Sequence, residues 1–502
     1  MKQFEHSLNP LVKFLKKPAY EFTHQDIVRY VVENQIQLIN FRYTADDGRL
    51  KTLTFPMTDV EYLETILTCG ERVDGSSLFS FIEAGSSDLY VVPKYRTAFH
   101  NPFSEIPSLD ILCSFYNSKG KPLESSPSYI LKKAKTLFTE RTGLTFKCMG
   151  ELEYYLSIPT EEENLYPARD QKGYHESSPF IKFHAFKDEA MRLIAQCGGK
   201  IKYGHSEVGN FTTDEAYYEQ QEIEFLPMDP EEAVEQLLIA KWILRMLADQ
   251  YNILISFAPK ITVGKAGSGL HIHMLAEKDG KNVLIDHCKL SDTAKKMIAG
   301  ILDLASALTA FGNTVPTSYL RLVPHQEAPT NICWGERNRS SLIRIPLGWL
   351  GDAGLMAANE NPNDHNIKPL KESKQTFELR SGDGSADIYH FVAGIIVAAL
   401  HGLEMPNALE LAEKLYSDVN IFKEEHKDKR AQFKGLPASC AESADALEKA
   451  RDYFEKDGVF PHGTIDRFIK LLRSYNDFEL SERLYGKNDE IKKLVQQYMH
   501  CM

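Results

Sequence analysis

Apolar and polar positions alternate with period two in short runs near the start of the chain, IQLINFRYT (36–44) and KTLTFP (51–56). Residues two apart on a strand share a face, so these runs predict strands, and with the helical stretch between turn residues they make a small α+β unit over about Thr23–Ser114. The segment SKGKPLESSPS (118–128) combines Gly, Pro and Ser as an exposed connection does, and a helical stretch begins near Tyr129. From Glu151 to about Leu403 strand-like runs alternate with amphipathic helices such as EEAVEQLLIAKWILRMLADQY (231–251). The last hundred or so residues read as helical and charged, with FKEEHKDKR (422–430) a solvated face or loop.

The longest apolar run, FVAGIIVAAL (391–400), is half the roughly 20 residues that a membrane-spanning helix needs, and it reads as a buried core helix. A chain of 502 residues with 43% hydrophobic content supports two or three domains. Its net charge of −12 gives no electrostatic reason for a nucleic-acid or acidic-membrane partner. The N-terminus MKQFEHSLNP lacks an apolar secretory stretch, and the eight cysteines form no C-x-x-C pair. A cytoplasmic protein with reduced thiols is expected.

Candidate chemistry comes from the strands. Glu151 and Glu153 (GELEYYL), Glu222 and Glu224 (QQEIEFLP), His271 and His273 (GSGLHIHM), and Glu378 and Arg380 (TFELRSGDG) each put two polar side chains on one strand face. A single E-x-E is most often a solvent-facing edge. Four such pairs in one sheet would converge into a concave surface of carboxylates that repel one another unless cations neutralise them. An oxygen-rich set with little imidazole and no thiolate suits Mg²⁺ or Mn²⁺. A second ingredient is the arginine series Arg321, Arg337, Arg339 and Arg344 among apolar residues, which should bury it partly. Arginines beside a metal–carboxylate site fit phosphoryl transfer, and structural salt bridges to the glutamates are the alternative. Gly267, Ser268 and Gly269 would allow close approach of backbone to a ligand.

In their order, VDGSS, GELEYYL, HSEVG, QQEIEF, GSGLHIHM, RLVPHQEAP, NRSSLIRIP and FELRSGDGSAD resemble the type I glutamine synthetases over about residues 23–470. The resemblance implies an α+β chain: an N-terminal extension (1–22), a β-grasp domain (23–115) and a catalytic domain (116–502) whose antiparallel strands form a half-barrel flanked by helices. It implies ATP-dependent ligation of ammonia to glutamate through γ-glutamyl phosphate, with two or three Mg²⁺ or Mn²⁺ ions. Glu153, Glu207 and Glu222 would hold one metal, and Glu151, His271 and Glu378 another. His273, Arg339 and Arg344 would face ATP and its moving phosphoryl group. Gly267, Arg321, Glu327 and Arg380 would bind glutamate. Asp74, Ser77, Tyr174 and Glu207 would bind ammonium. Asp74, Glu327 and Arg339 would be catalytic, with Glu327 on a mobile flap. Because Asp74 belongs to the domain that completes a neighbour's site in that family, a homo-oligomeric ring, hexamer or dodecamer, is implied.

Several positions depart from the family pattern. Ala266 stands where an asparagine contacts glutamate, and Thr376 stands where an arginine faces the nucleotide, with Lys374 nearby. Extra residues, GNFTTDEAYYE (209–219), lengthen a hairpin at the site rim, and KLVQQYMHCM replaces the apolar tail that clasps two rings. Tyr416 is near a position some members adenylylate, and a surface tyrosine is the simpler reading. The alternatives to glutamine synthesis are a γ-glutamyl ligase using a polyamine or other organic amine, and a non-catalytic relative.

Overall fold

The computed structural model describes residues 2–80, 82, 87–160, 165–323, 328–348, 353–368 and 373–501. The period-two runs become strands β1 (Leu38–Thr44) and β2 (Leu50–Pro56), paired antiparallel around a turn. With β3 (Glu71–Asp74), β4 (Asp88–Pro93), β5 (Phe99–His100) and β6 (Ser108–Tyr116) they make a six-stranded sheet of order β2-β1-β6-β4-β3, in which β5 pairs with β6 and β1 runs parallel to β6. Helices His24–Glu33 and Val60–Cys69 pack their buried Ile27, Tyr30, Leu63 and Ile66 into the same apolar cluster as Phe41 and Ile111. Leu11, from the short helix Pro10–Leu15, is fully buried in that cluster.

The helix Pro127–Thr142 follows the Pro/Ser segment, with Pro at its first turn and Gly143 left-handed at its C-cap. Beyond it lie β7 (Thr145–Pro159), β8 (Ile201–Thr212), β9 (Ala216–Phe225), β10 (Leu254–Ser256), β11 (Leu270–Lys278) and β12 (Lys281–Asn282). A small hairpin, β13 (Ile285–Asp286) with β14 (Lys289–Leu290), precedes β15 (Trp334–Glu336), β16 (Ile343–Ile345) and β17 (Phe377–Leu379). The nine-stranded sheet runs β15-β16-β17-β11-β7-β9-β8, with β10 on β7 and β12 on β11. It is antiparallel except where β15 runs parallel to β16, a short edge pairing that the alternation pattern does not foretell.

Helix Pro230–Tyr251 has Asp229 as N-cap, accepting from Glu231 N, and a left-handed Asn252 at its end. It packs with Ile388–Glu404, whose run Phe391–Leu400 is buried throughout, in a core that also holds Phe146, Leu152 and Ile272. Among the described residues no single helix is long and apolar enough to cross a membrane. The two sheet-bearing units meet at Glu235, whose carboxylate binds Lys94 and, at 2.6 and 3.0 Å, the Arg96 guanidinium.

Candidate active site

Strand register decides which of the candidate side chains meet. Across β8, β9, β7 and β11, Tyr203, Glu224, Glu151 and His271 lie in one row. His205, Glu222 and Glu153 make the next row, and Arg344, Glu378 and His273 line up across β16, β17 and β11. These rows open onto a cleft of about 2130 Å³ whose walls include Glu151, Glu153, Glu207, Glu222, His271 and Glu378. His273, Tyr174, Gly267, Arg321, Arg339, Arg344 and Arg380 line it as well.

Two donor groups form within this cleft: Glu151, His273 and Glu378, and His205, Glu207 and Glu222, each with ligand atoms within 4.8 Å of one another. His273 Nε2 is 2.8 Å from Glu151 Oε1 and 2.7 Å from Glu378 Oε2, and its Nδ1 is 3.0 Å from Thr376 Oγ1. His271 Nδ1 is 2.9 Å from Glu151 Oε2, while its Nε2 lies 3.7 Å from Glu153 Oε1. The first group therefore contains His273 where the family pattern has His271. In the second, His205 Nε2 is 3.1 Å from Glu222 Oε1, and Glu153 is held by the Gly269 and Gln220 amides.

Electrostatics favour a cation here. Burial pushes the Glu222 carboxyl well above its ordinary value, and the neighbouring Glu151, Glu153, Glu207 and Glu224 push it further. Burial opposes ionisation of Glu151 and Glu378 too, yet the His273 imidazole holds both below the ordinary range, Glu378 at about 2. His273 itself, although burial disfavours its charge, is raised to about 10 by Glu151 and Glu378. A protonated histidine thus acts as the internal counter-charge for one group, and the other is a set of carboxylates with too little positive charge. Glu224 Oε2 is buried without a hydrogen-bond partner among the described residues. An oxygen-rich donor set of this kind fits Mg²⁺ or Mn²⁺.

The arginines divide. Arg344 Nη1 and Arg380 Nε lie 3.1 and 3.3 Å from Glu378 Oε1, so these two are partly structural. Arg321 is buried and donates to the carbonyls of Ser381 and Arg380 at 2.9 and 3.3 Å. Arg339 is exposed at the cleft, which Tyr174 also lines. Neither Arg321 nor Arg339 has a carboxylate within ion-pair distance among the described residues, leaving both for an anion. The expectation that the whole series is partly buried fails at Arg337 and Arg339, which are both exposed, and Arg337, with a left-handed φ of 55° in the turn after β15, also lies off the cleft.

Gly267 and Gly269 are required by close approach. A Cβ on Gly267 would come within 2.5 Å of Pro259 O, and one on Gly269 within 2.6 Å of His271 Nε2 and 2.7 Å of Arg321 Nη2. Ala266 is buried, its amide donating to Gln171 Oε1 at 2.7 Å, and Lys374 and Thr376 line the cleft. The added residues form the β8–β9 hairpin, with an irregularity between Ser206 and Asn210.

Tyr174 stacks on His175 with centroids 4.2 Å apart and meets His205 edge-on at 5.4 Å. Asp74 and Ser77 do not line the cleft of their own chain. They sit on the six-stranded unit, where Ser77 Oγ donates to Asp74 Oδ2 at 2.7 Å, and hydroxyl donors, Ser77 first and then Ser76, hold the Asp74 carboxyl well below its ordinary value. Glu327 lies outside the described residues. His205 gains a place that the sequence did not assign to it. The H-x-E spacing of His205 and Glu207 carries the same same-face signal as the E-x-E pairs and could have found the former.

Residues 35–118 match the glutamine synthetase β-grasp domain and residues 124–482 match the glutamine synthetase catalytic domain. The glutamine synthetase of Frankia alni is 28% identical over 481 residues, covering 89% of this chain and 94% of its own. That of Methanococcus maripaludis is 27% identical over 458 residues, with 89% and 94% covered. Among solved structures, the Plasmodium falciparum glutamine synthetase superposes with a TM-score of 0.74 at 19% identity, over 93% of this chain and 97% of that one. A GmaS–ADP complex gives 0.71 at 18%, over 90% and 96%, and at such identities the likeness is one of fold. With both domain matches spanning most of its length and a carboxylate–histidine cleft built on the matched catalytic sheet, the chain belongs to the glutamine synthetase family of enzymes.

Proposed function

We propose that this enzyme joins ammonia to the γ-carboxylate of glutamate at the expense of ATP, giving glutamine, ADP and phosphate. The observation that carries the reading is the juxtaposition of buried carboxylates with Arg321 and Arg339, two guanidiniums that have no carboxylate partner among the described residues. Glu153, Glu207 and Glu222, with His205 beside them, would hold one divalent ion, and Glu151, Glu378 and a histidine, His271 or His273, the other. Such ions, when bound, neutralise charge on the phosphates of ATP and on the substrate carboxylate.

Arg321 and Arg380 bind the carboxylates of glutamate, and the Gly267 backbone, which lines the same cleft, takes its ammonium group. The γ-carboxylate oxygen attacks the γ-phosphorus, the bond to ADP breaks, and Arg339 and Arg344 stabilise the charge on the moving phosphoryl oxygens. Asp74, Ser77, Tyr174 and Glu207 hold ammonium, and Asp74 takes its first proton, a role for which a carboxylate ionised at neutral pH is suited. Ammonia then attacks the acyl carbon, the carbon–oxygen bond to phosphate breaks, and Glu327 takes the last proton. Because Asp74 does not line its own chain's cleft, the complete site draws on a neighbouring chain, and a homo-oligomeric ring supplies it.

A second reading, ligation of an organic amine, draws on Ala266, where a methyl group leaves more room than an asparagine. Phosphate release with Mg-ATP and glutamate, driven by ammonium, methylamine or putrescine with the products quantified, decides between them. Turnover with ammonium and accumulation of glutamine is the expected result. Turnover only with an organic amine would replace the ammonia reading, and none with any amine would leave a non-catalytic relative.

A further inference from the structure

A second cavity, of about 360 Å³, lies between the β1–β2 turn and the helix Pro230–Tyr251 of the catalytic unit, away from the main cleft. Three cations line it: Arg49 from the turn, and Lys241 and Arg245 from the helix. Leu50, Leu238 and Trp242 supply apolar wall. Lys241 is only 3% exposed, donates one hydrogen bond, to Gly384 O at 2.8 Å, and stands 5.1 Å from the Phe257 ring centroid. Arg245 donates to Cys501 O at 3.2 Å. None of the three has a carboxylate within ion-pair distance among the described residues. Asp387 is the one carboxylate in the wall, and it is engaged by His390 Nδ1 at 2.8 Å and Arg467 at 3.9 Å. Burial, and then Arg245, pull the Lys241 ammonium down to about 7, which marks a buried cation short of negative charge.

We propose that this cavity binds a small organic anion, a carboxylate or phosphate monoester with an apolar body, and that its occupancy sets the position of the segment bearing Asp74 and Ser77. The connection runs through Asp46, in the same turn as Arg49. Its backbone N donates to Leu78 O at 3.0 Å, its Oδ2 accepts from Ser80 N at 3.1 Å, and its Oδ1 meets Arg467 Nη1 at 2.6 Å. An anion gripped by Arg49 on one side and Lys241 and Arg245 on the other would clamp the turn against the helix, and the segment from Gly75 to Ser80 is hydrogen-bonded to that turn. The coupling rests on the ammonium role given to Asp74, whereas the binding does not.

The test is calorimetry on the full chain with Mg-ADP saturating, titrating phenyl phosphate and, separately, benzoate, together with ammonium kinetics. One probe at least binds at one site per chain, and R49A, at an exposed position, and K241M each weaken it by about tenfold or more. The probe also shifts the KM for ammonium in the unaltered enzyme and not in R49A. Binding by phenyl phosphate alone or benzoate alone supports the site and identifies the head group. Failure of both probes to bind, or undiminished binding to R49A with native circular dichroism, overturns the site. Binding without a shift in KM overturns the coupling alone.

Discussion

Thr376 shows how a departure from family pattern can be absorbed locally. Its hydroxyl holds His273 Nδ1 at 3.0 Å and thereby fixes which ring nitrogen faces Glu151 and Glu378. Replacing it by valine keeps the volume and removes the tether. Mn²⁺ affinity in the T376V variant should fall about tenfold by titration calorimetry, with the melting temperature little changed; an unaltered affinity would mean that the ring needs no such tether. Gly269 is constrained by space instead. In G269A the new methyl group must displace His271 or Arg321, and kcat should fall about a hundredfold in the amide-forming assay while circular dichroism stays native. Near-normal turnover would show that both side chains can yield without harm.

At the scale of elements, the E-x-E and H-x-H spacings already place each pair of polar groups on one face of its strand. They cannot say that Glu153 opposes Glu222, or that Glu378 sits between Arg344 and His273, because register is fixed by long-range pairing. The parallel β15–β16 pair and the pairing of His205 with Glu222 were hidden for the same reason. The helix Pro230–Tyr251, by contrast, was legible from periodicity, but the use it makes of Glu235 was not. Buried Glu235 is drawn below its ordinary pKa, against the effect of burial, by Lys94 and then Arg96. A depressed folded-state value means that the unfolded chain binds the proton more tightly, so the stabilisation is present above the ordinary carboxylate range and is lost as pH falls through the folded value. E235Q should therefore cost about 3 kcal/mol in denaturant unfolding at pH 7, and less near pH 3. A loss independent of pH would assign the effect to packing.

At the scale of the whole molecule, the role proposed for Asp74, which does not line its own chain's cleft, would make assembly part of the chemistry. Chains carrying D74A and chains carrying E222Q should each be nearly inactive. Mixed in equal amounts, dissociated and reassembled, they should recover about a quarter of full activity, because one site in four then draws both intact residues from different chains. Recovery of none, with mixed oligomers verified by mass spectrometry, would place both residues of a site in one chain.

The sequence alone determined the strand and helix periods, the buried apolar helix and the polar residues that share strand faces, since these depend on spacing along the chain and on burial of apolar surface. The ordered motifs added a family and, with it, roles for residues as far apart as Asp74 and Arg380. The tertiary structure decided what spacing cannot carry. It divides the arginines into those paired with Glu378 and those left for an anion, turns Arg337 away from the cleft, and gathers Arg49, Lys241 and Arg245 around a second cavity. Each of these follows from cross-strand register and packing between remote segments, and so from interactions that exist only once the chain has folded.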